Sequence, residues 1–161
     1  MRSVPPVRVL IADDHQLFAE SLGLTLNIDD RLELVGTARN GKEAVRLAQE
    51  LRPDIVLMDL DMPVMDGFEA TREVRRSLPN CEVVVLTASL AVEDAHRARS
   101  AGAAAYLTKG CFMRDLIDAV LEVALPINQR KEETADARGL RAPRAAGRPR
   151  SLLQSRAFST H

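Results

Sequence analysis

The sequence predicts an α/β protein built on a doubly wound parallel sheet, and three observations support that fold class. Short apolar runs such as VRVLIA (7–12) and EVVVLT (82–87) are rich in Val, Ile and Leu and lack polar alternation, which is typical of strands buried on both faces. Helix-length segments separate these runs, so strands and helices alternate along the chain. The 161 residues suffice for one domain with a remainder, and 46% apolar residues can build its core.

Five strands and five helices are expected in alternating order. The strands are predicted at 7–12, 32–38, 54–59, 82–87 and 104–108. The helices are predicted at 15–27, 42–51, 67–77, 92–101 and 112–125. Five such βα units suit the strand order 2-1-3-4-5 of flavodoxin-like folds, in which helices cover both faces of the sheet.

The chain divides at Pro126 into two parts of opposite charge. Residues 126–161 contain eight basic and three acidic side chains, a net charge of +5, whereas the preceding residues have a net charge of −6. Regular apolar periodicity also ends near Leu125, which favours a disordered, basic Arg/Pro/Ala-rich tail after a folded domain at 7–125. The tail is predicted to make weak, nonspecific nucleic-acid contacts at most, without sequence-specific DNA binding by this chain.

Composition also bears on the compartment. No apolar run approaches the roughly 18 residues that cross a bilayer, and residues 1–12 do not resemble a cleavable signal peptide. The two cysteines, Cys81 and Cys111, are too few for a cysteine-based zinc site and suit a reducing environment. We therefore expect a cytoplasmic protein that makes no contact with a membrane.

Chemically active side chains follow four of the predicted strands. Asp13 and Asp14 come after the first strand, Asp59 ends the third, Thr87 ends the fourth and Lys109 follows the fifth. The carboxyl ends of parallel strands share one edge of the sheet, where doubly wound folds bind their ligands. Three carboxylates placed together repel one another unless a cation lies among them. Mg²⁺, which prefers oxygen ligands, is the expected ion.

The same region resembles the receiver domain of two-component response regulators over about residues 7–125. The resemblance is carried by four motifs in the correct order: LIADDH (10–15), LMDLDMPVMDG (57–67), VVVLTAS (83–89) and AGAAAYLTKG (101–110). The run ADDHQLF (12–18) further resembles the NarL/FixJ-type subfamily. Members of that subfamily usually carry a C-terminal helix-turn-helix, and no such output domain is recognisable after Leu125.

The resemblance implies that Asp59 is the phosphoacceptor and receives a phosphoryl group from a sensor histidine kinase. It also implies that Mg²⁺, or Mn²⁺ in its place, is held by Asp14, Asp59 and the backbone carbonyl of Asp61. Asp13 is expected to act on the ion through water. A carboxylate nucleophile beside a divalent cation suits the formation of an aspartyl-phosphate.

Three further residues receive roles from the resemblance. Lys109 is expected to pair with a phosphoryl oxygen, and Thr87 to turn its hydroxyl toward another. Tyr106 matches the aromatic switch residue that turns inward as Thr87 moves. The protein would then be a phosphorylation switch that catalyses only its own phosphorylation and dephosphorylation, and homodimer formation on phosphorylation stays open.

A second function class starts from Asp59 and Asp61. Their spacing after an apolar strand also resembles the DxD motif of haloacid-dehalogenase-type phosphatases, in which the second Asp is the general acid. That architecture places its DxD close to the first strand and another acid pair downstream, whereas this chain has its acid pair upstream. The receiver interpretation is therefore favoured, with the phosphatase as the alternative.

Overall fold

The computed structural model describes residues 4–138, which form one five-stranded parallel sheet in the order β2-β1-β3-β4-β5. The strands are β1 (Val7–Ala12), β2 (Leu32–Ala38), β3 (Ile55–Met58), β4 (Glu82–Thr87) and β5 (Ala105–Thr108). The helices are α1 (Gln16–Ile28), α2 (Gly41–Leu51), α3 (Gly67–Ser77), α4 (Val92–Ala101) and α5 (Met113–Ala137). The predicted fold class and strand order are confirmed.

Two apolar layers enclose the sheet because successive side chains of a strand point to opposite faces. Val56 and Met58 of β3 pack with the buried side chains of α2, α3 and α4. Their neighbours Ile55 and Leu57 pack with those of α1 and α5. All four side chains are at most 1% exposed, which explains why the strand sequence is continuously apolar.

Helix α5 is longer than the sequence predicts. The predicted end at Leu125 is wrong, because α5 continues through Pro126 to Ala137. A proline inside a helix removes one backbone hydrogen bond and normally bends or ends the helix. Here the following turns pack on the domain: Ile127 is buried in the layer of α1 and α5.

Polar contacts also attach this C-terminal part of α5 to the sheet. Lys131 Nζ lies 2.6 Å from a carboxylate oxygen of Asp54, the residue before β3. Arg130 donates a hydrogen bond to Asn80 Oδ1 at 3.2 Å. Residues 126–138 therefore belong to the folded unit, and the predicted disordered tail is corrected for this stretch. The rest of the predicted tail, with its proposed nucleic-acid contacts, lies outside the described residues.

The helices of the described chain lack the features of a membrane span. Between residues 4 and 138, none of them combines the length and the apolar character that crossing a bilayer requires.

Candidate functional site

The predicted site residues converge at the carboxyl edge of the sheet. Asp13 follows β1, Asp59 follows β3, and Lys109 follows β5. The backbone N–H of Asp59 donates to the Ala12 carbonyl at 2.9 Å, and the N–H of Lys109 donates to the Thr87 carbonyl at 2.8 Å. These bonds extend the sheet ladder by one residue. The side chains of Asp59 and Lys109 therefore lie at the last hydrogen-bonded positions of their strands.

A buried charge cluster occupies this edge. Lys109 Nζ lies 2.7 Å from Asp13 Oδ2 and 3.2 Å from Asp59 Oδ2. Asp13 is 4% exposed and Asp59 is 3% exposed, so water screens both carboxylates poorly. One ammonium group is thus shared between two buried carboxylates.

The shared ammonium group of Lys109 does not fully compensate the negative charge of Asp59. Burial, followed by the negative charge of Asp13, raises the pKa of the Asp59 carboxyl above its usual range, although Lys109 and the Leu60 N–H oppose the shift. At Lys109, burial acts to lower the pKa of the amine, but its hydrogen bonds and charge interactions with Asp13 and Asp59 raise it. Lys109 is therefore held in its charged form, and Asp59 is an unusually basic carboxylate.

A metal ion fits the donor atoms present at this edge. Asp13, Asp14, His15 and Asp59 each offer one ligand atom, and these atoms all lie within 4.8 Å of one another. Three of the four donors are carboxylate oxygens, which are the ligands that hard divalent cations prefer. Asp14 and His15 are the solvent-exposed members of the set, so the cluster opens toward solvent on their side.

The structure adds two residues that sequence reasoning did not place in the site. His15 was predicted only to begin α1, yet its Nδ1 lies 3.4 Å from carboxylate oxygens of both Asp13 and Asp14. Phe18 of α1 lies under the ammonium group of Lys109, with its ring centroid 4.7 Å from Nζ. The adjacency of His15 to the acid pair could have indicated its position. Nothing in the sequence pairs Phe18 with Lys109, because that contact depends on the packing of α1.

The loop after β3 approaches Asp59 closely. Gly67, the first residue of α3, donates its N–H to the Leu60 carbonyl at 2.9 Å. A Cβ atom added at Gly67 would lie 2.0 Å from the backbone oxygen of Asp59, so only glycine fits there. Asp61 lies inside this loop with an exposed side chain. Its backbone carbonyl remains a predicted metal ligand.

Thr87 and Tyr106 both contact Ser89 in the loop between β4 and α4. Thr87 is fully buried, and its Oγ1 accepts the Ser89 N–H at 3.3 Å. Tyr106 is half-buried and donates its hydroxyl to the Ser89 carbonyl at 3.1 Å. One loop therefore connects the two residues predicted to switch.

Comparisons with known proteins agree with this geometry. A family model described as "Response regulator receiver domain" matches residues 9–121. The response regulator protein VraR of Staphylococcus aureus is 39% identical over 114 residues, which cover 71% of this chain and 54% of VraR. VraR of Staphylococcus saprophyticus is 37% identical over 115 residues, covering 71% of this chain and 55% of VraR. The chain thus spans about half the length of the curated relatives it matches.

Solved structures show the same fold. The signal receiver domain of the putative response regulator NarL from Mycobacterium tuberculosis superposes with a TM-score of 0.70 at 32% identity. That match covers 74% of this chain and 96% of the NarL domain. A two-component response regulator of the LuxR family from Aurantimonas gives a TM-score of 0.70 at 31% identity, covering 73% of this chain and 84% of that one.

Proposed function

The chain belongs to the response regulator receiver family, the phosphoacceptor domains of two-component signalling, and from that premise we propose that Asp59 is its phosphoacceptor. One observation carries the proposal: Asp59 is a buried carboxylate of raised pKa at the end of a central strand, 3.2 Å from Lys109 and beside the acid pair. The family match does not support the haloacid-dehalogenase-type phosphatase.

The phosphoryl transfer is a single displacement at phosphorus. A carboxylate oxygen of Asp59 attacks the phosphorus of a phosphohistidine on the sensor histidine kinase. An O–P bond forms while the N–P bond breaks, and the imidazole nitrogen keeps the bonding electron pair. Because burial makes Asp59 more basic, its ionised form is a better nucleophile than an exposed aspartate. Lys109 supplies positive charge to a phosphoryl oxygen as the new bond forms.

The carboxylate cluster is assigned to Mg²⁺ or Mn²⁺. Asp14, Asp59 and the backbone carbonyl of Asp61 would hold the ion, and Asp13 would act through water. When bound, the ion neutralises phosphoryl charge and orients the phosphorus for attack. Asp13 also keeps Lys109 in place, since their charged groups are 2.7 Å apart.

Phosphorylation is read by Thr87 and Tyr106. The Thr87 hydroxyl turns toward a phosphoryl oxygen on Asp59, and Tyr106 turns inward as its contact with the loop changes. Both side chains are hydrogen-bonded to Ser89, so a movement of one that displaces Ser89 also changes the hydrogen bond of the other. The new charge on Asp59 thus shifts the packing of α4, β5 and α5.

The proposed partners follow from this chemistry. A sensor histidine kinase supplies the phosphoryl group to this domain in the cytoplasm. The domain promotes only its own phosphorylation and dephosphorylation and turns over no other substrate.

Acetyl phosphate with Mg²⁺ tests the assignment. Intact mass should show one added phosphoryl group on the wild type and none on Asp59→Asn. Asp30→Asn is the matched control, because Asp30 is an exposed aspartate before β2, at the opposite edge of the sheet, and should label like the wild type. Equal labelling of Asp59→Asn and Asp30→Asn would disprove the acceptor assignment. Repeated turnover of an aryl phosphate by the wild type would favour the phosphatase instead.

A further inference from the structure

We propose that Asp94 is a positioning residue that acts through Ser89. It holds the loop between β4 and α4 in the arrangement in which Thr87 Oγ1 accepts the Ser89 N–H. The inference rests on the proposed function, because it concerns how readily Thr87 turns toward a phosphoryl group on Asp59. Asp94 limits that movement.

Four hydrogen bonds meet on Ser89. Its hydroxyl donates to Asp94 Oδ2 at 2.6 Å and accepts the N–H of Ala91 at 3.3 Å. Its own N–H donates to Thr87 Oγ1 at 3.3 Å, and its carbonyl accepts the Tyr106 hydroxyl at 3.1 Å. Ser89 therefore connects the end of β4, the start of α4 and the middle of β5.

The bond to Asp94 is the shortest of the four and has a charged acceptor. Hydroxyl-to-carboxylate bonds of this length are about twice as strong as neutral ones. Asp94 itself is fixed from a second side, since its Oδ1 lies 3.5 Å from Arg97 Nη1. The guanidinium of Arg97 in turn lies 3.9 Å from the ring centroid of Phe68 on α3. Ser89 is thus anchored to a carboxylate that α3 and α4 hold in place.

This anchor opposes the movement of Thr87. When the Thr87 hydroxyl turns toward a phosphoryl oxygen, it leaves the Ser89 N–H, and Ser89 must move to find another acceptor for that group. The short bond to Asp94 resists such a shift of Ser89, so it stabilises the unphosphorylated arrangement over the alternative. Removing the bond shifts the population toward the phosphorylated arrangement before any phosphoryl group is present.

Two measurements on the full chain test the proposal. Asp94→Ala should take up a phosphoryl group from acetyl phosphate about fivefold faster, which corresponds to about 1 kcal/mol. Tyr106 is the only tyrosine of the chain, so ring-labelled tyrosine gives a single reporter in NMR spectra. Its signal in unphosphorylated Asp94→Ala should move toward the position that it has in the phosphorylated wild type.

Glu93→Gln is the matched control. Glu93 and Asp94 are the two acidic residues in the first turn of α4, so the control removes the same charge from the same helix end. We expect it to keep the wild-type rate and Tyr106 signal. If Asp94→Ala behaves like Glu93→Gln in both measurements, Asp94 acts only on the helix end and the proposal is wrong.

A double variant separates positioning from general loosening. Ser89→Ala removes the other end of the same bond, so combining it with Asp94→Ala should speed uptake no more than either change alone. Fully additive effects would overturn the proposal. If the wild type takes no label on Asp59, both the proposed function and the role of Asp94 are wrong. If the wild type is labelled but the effects are additive, only the role of Asp94 is wrong.

Discussion

Each end of β3 has a buried aspartate, and the two aspartates differ in how their charges are compensated. Asp54, before the strand, is 6% exposed and accepts the Arg8 N–H at 2.9 Å together with the ammonium group of Lys131. Asp59, after the strand, is 3% exposed and shares one ammonium group with a second carboxylate. Four residues separate these two buried aspartates, and only Asp54 has an ammonium group that it does not share with another aspartate.

This difference in charge compensation distinguishes a structural edge of the sheet from an edge suited to bind a cation. At the amino edge, one carboxylate meets its own ammonium group, so the buried charge contributes to a stable attachment of α5. At the carboxyl edge, Asp13, Asp14 and Asp59 outnumber Lys109, which leaves excess negative charge. That excess costs stability in the absence of a cation and makes the edge receptive to one.

The largest expected effect concerns the backbone at the carboxyl edge. Gly67→Ala places a Cβ atom against the Asp59 carbonyl, so the loop after β3 must shift. We expect a loss of about 3 kcal/mol in unfolding free energy and a roughly hundredfold slower phosphoryl uptake. Gly110→Ala is the control, because a Cβ atom there has open space around it. Chemical denaturation and acetyl phosphate labelling measure the two effects, and equal behaviour of the two variants would contradict the close approach.

Next in size is the removal of the ion pair at the amino edge. Lys131→Ala leaves the Asp54 carboxylate buried with the Arg8 N–H as its remaining described donor. Lys131 is 39% exposed, so water can partly replace it, and we expect a loss of about 1–2 kcal/mol. Arg130→Ala, which removes an exposed bond to Asn80 from the same turn, should cost less than about 0.5 kcal/mol. Phosphoryl uptake should stay at the wild-type rate in both, and a large loss of uptake would mean that the two edges are not independent.

The same substitution at the two aspartates should have opposite signs. At pH 7, Asp59→Asn removes a poorly compensated buried charge and should raise the unfolding free energy by about 1 kcal/mol. Asp54→Asn removes the partner of Lys131 and should lower it. Thermal melts without divalent cations measure both changes. A loss of stability at Asp59 would show that Lys109 compensates its charge fully.

The pH dependence sharpens this test. Because the folded pKa of Asp59 is raised, the protonated carboxyl stabilises the fold below about pH 3.9, the ordinary aspartate pKa, and this contribution is lost as the pH rises through the folded pKa. The advantage of Asp59→Asn over the wild type should therefore be greatest at neutral pH and shrink on acidification.

The smallest expected effect concerns backbone strain. Among residues 4–138, each edge has one non-glycine residue in the left-handed region: Arg52 at φ +50° and Val64 at φ +71°. A β-branched residue is strained in this conformation, whereas Asn tolerates it. Val64→Asn should therefore stabilise the fold by about 0.5–1 kcal/mol. Val92→Asn, at another exposed valine without positive φ, should give no such gain, and equal shifts in melting temperature would argue against strain at Val64.

Most of the fold and of the site could be predicted because their signals are local. An apolar run followed by a charged residue marks both a buried strand and its carboxyl end, so the sequence alone predicts that Asp13, Asp59 and Lys109 lie at one edge. The end of α5 was mispredicted for the complementary reason. Pro126 is a strong local signal against a helix, whereas the contact that favours the helix joins Lys131 to Asp54, 77 residues away.

The alternation of strands and helices, the residues at the strand ends and the family can all be read from the amino-acid sequence. Those properties depend on periodicity and on residue type at fixed spacing, which neighbours along the chain specify. Three features depend on packing instead: Phe18 lies under Lys109, Ser89 is hydrogen-bonded to Thr87, Tyr106 and Asp94, and α5 continues past Pro126. These features depend on which side chains packing brings within a few ångströms, and distances of that kind are set by the whole core at once.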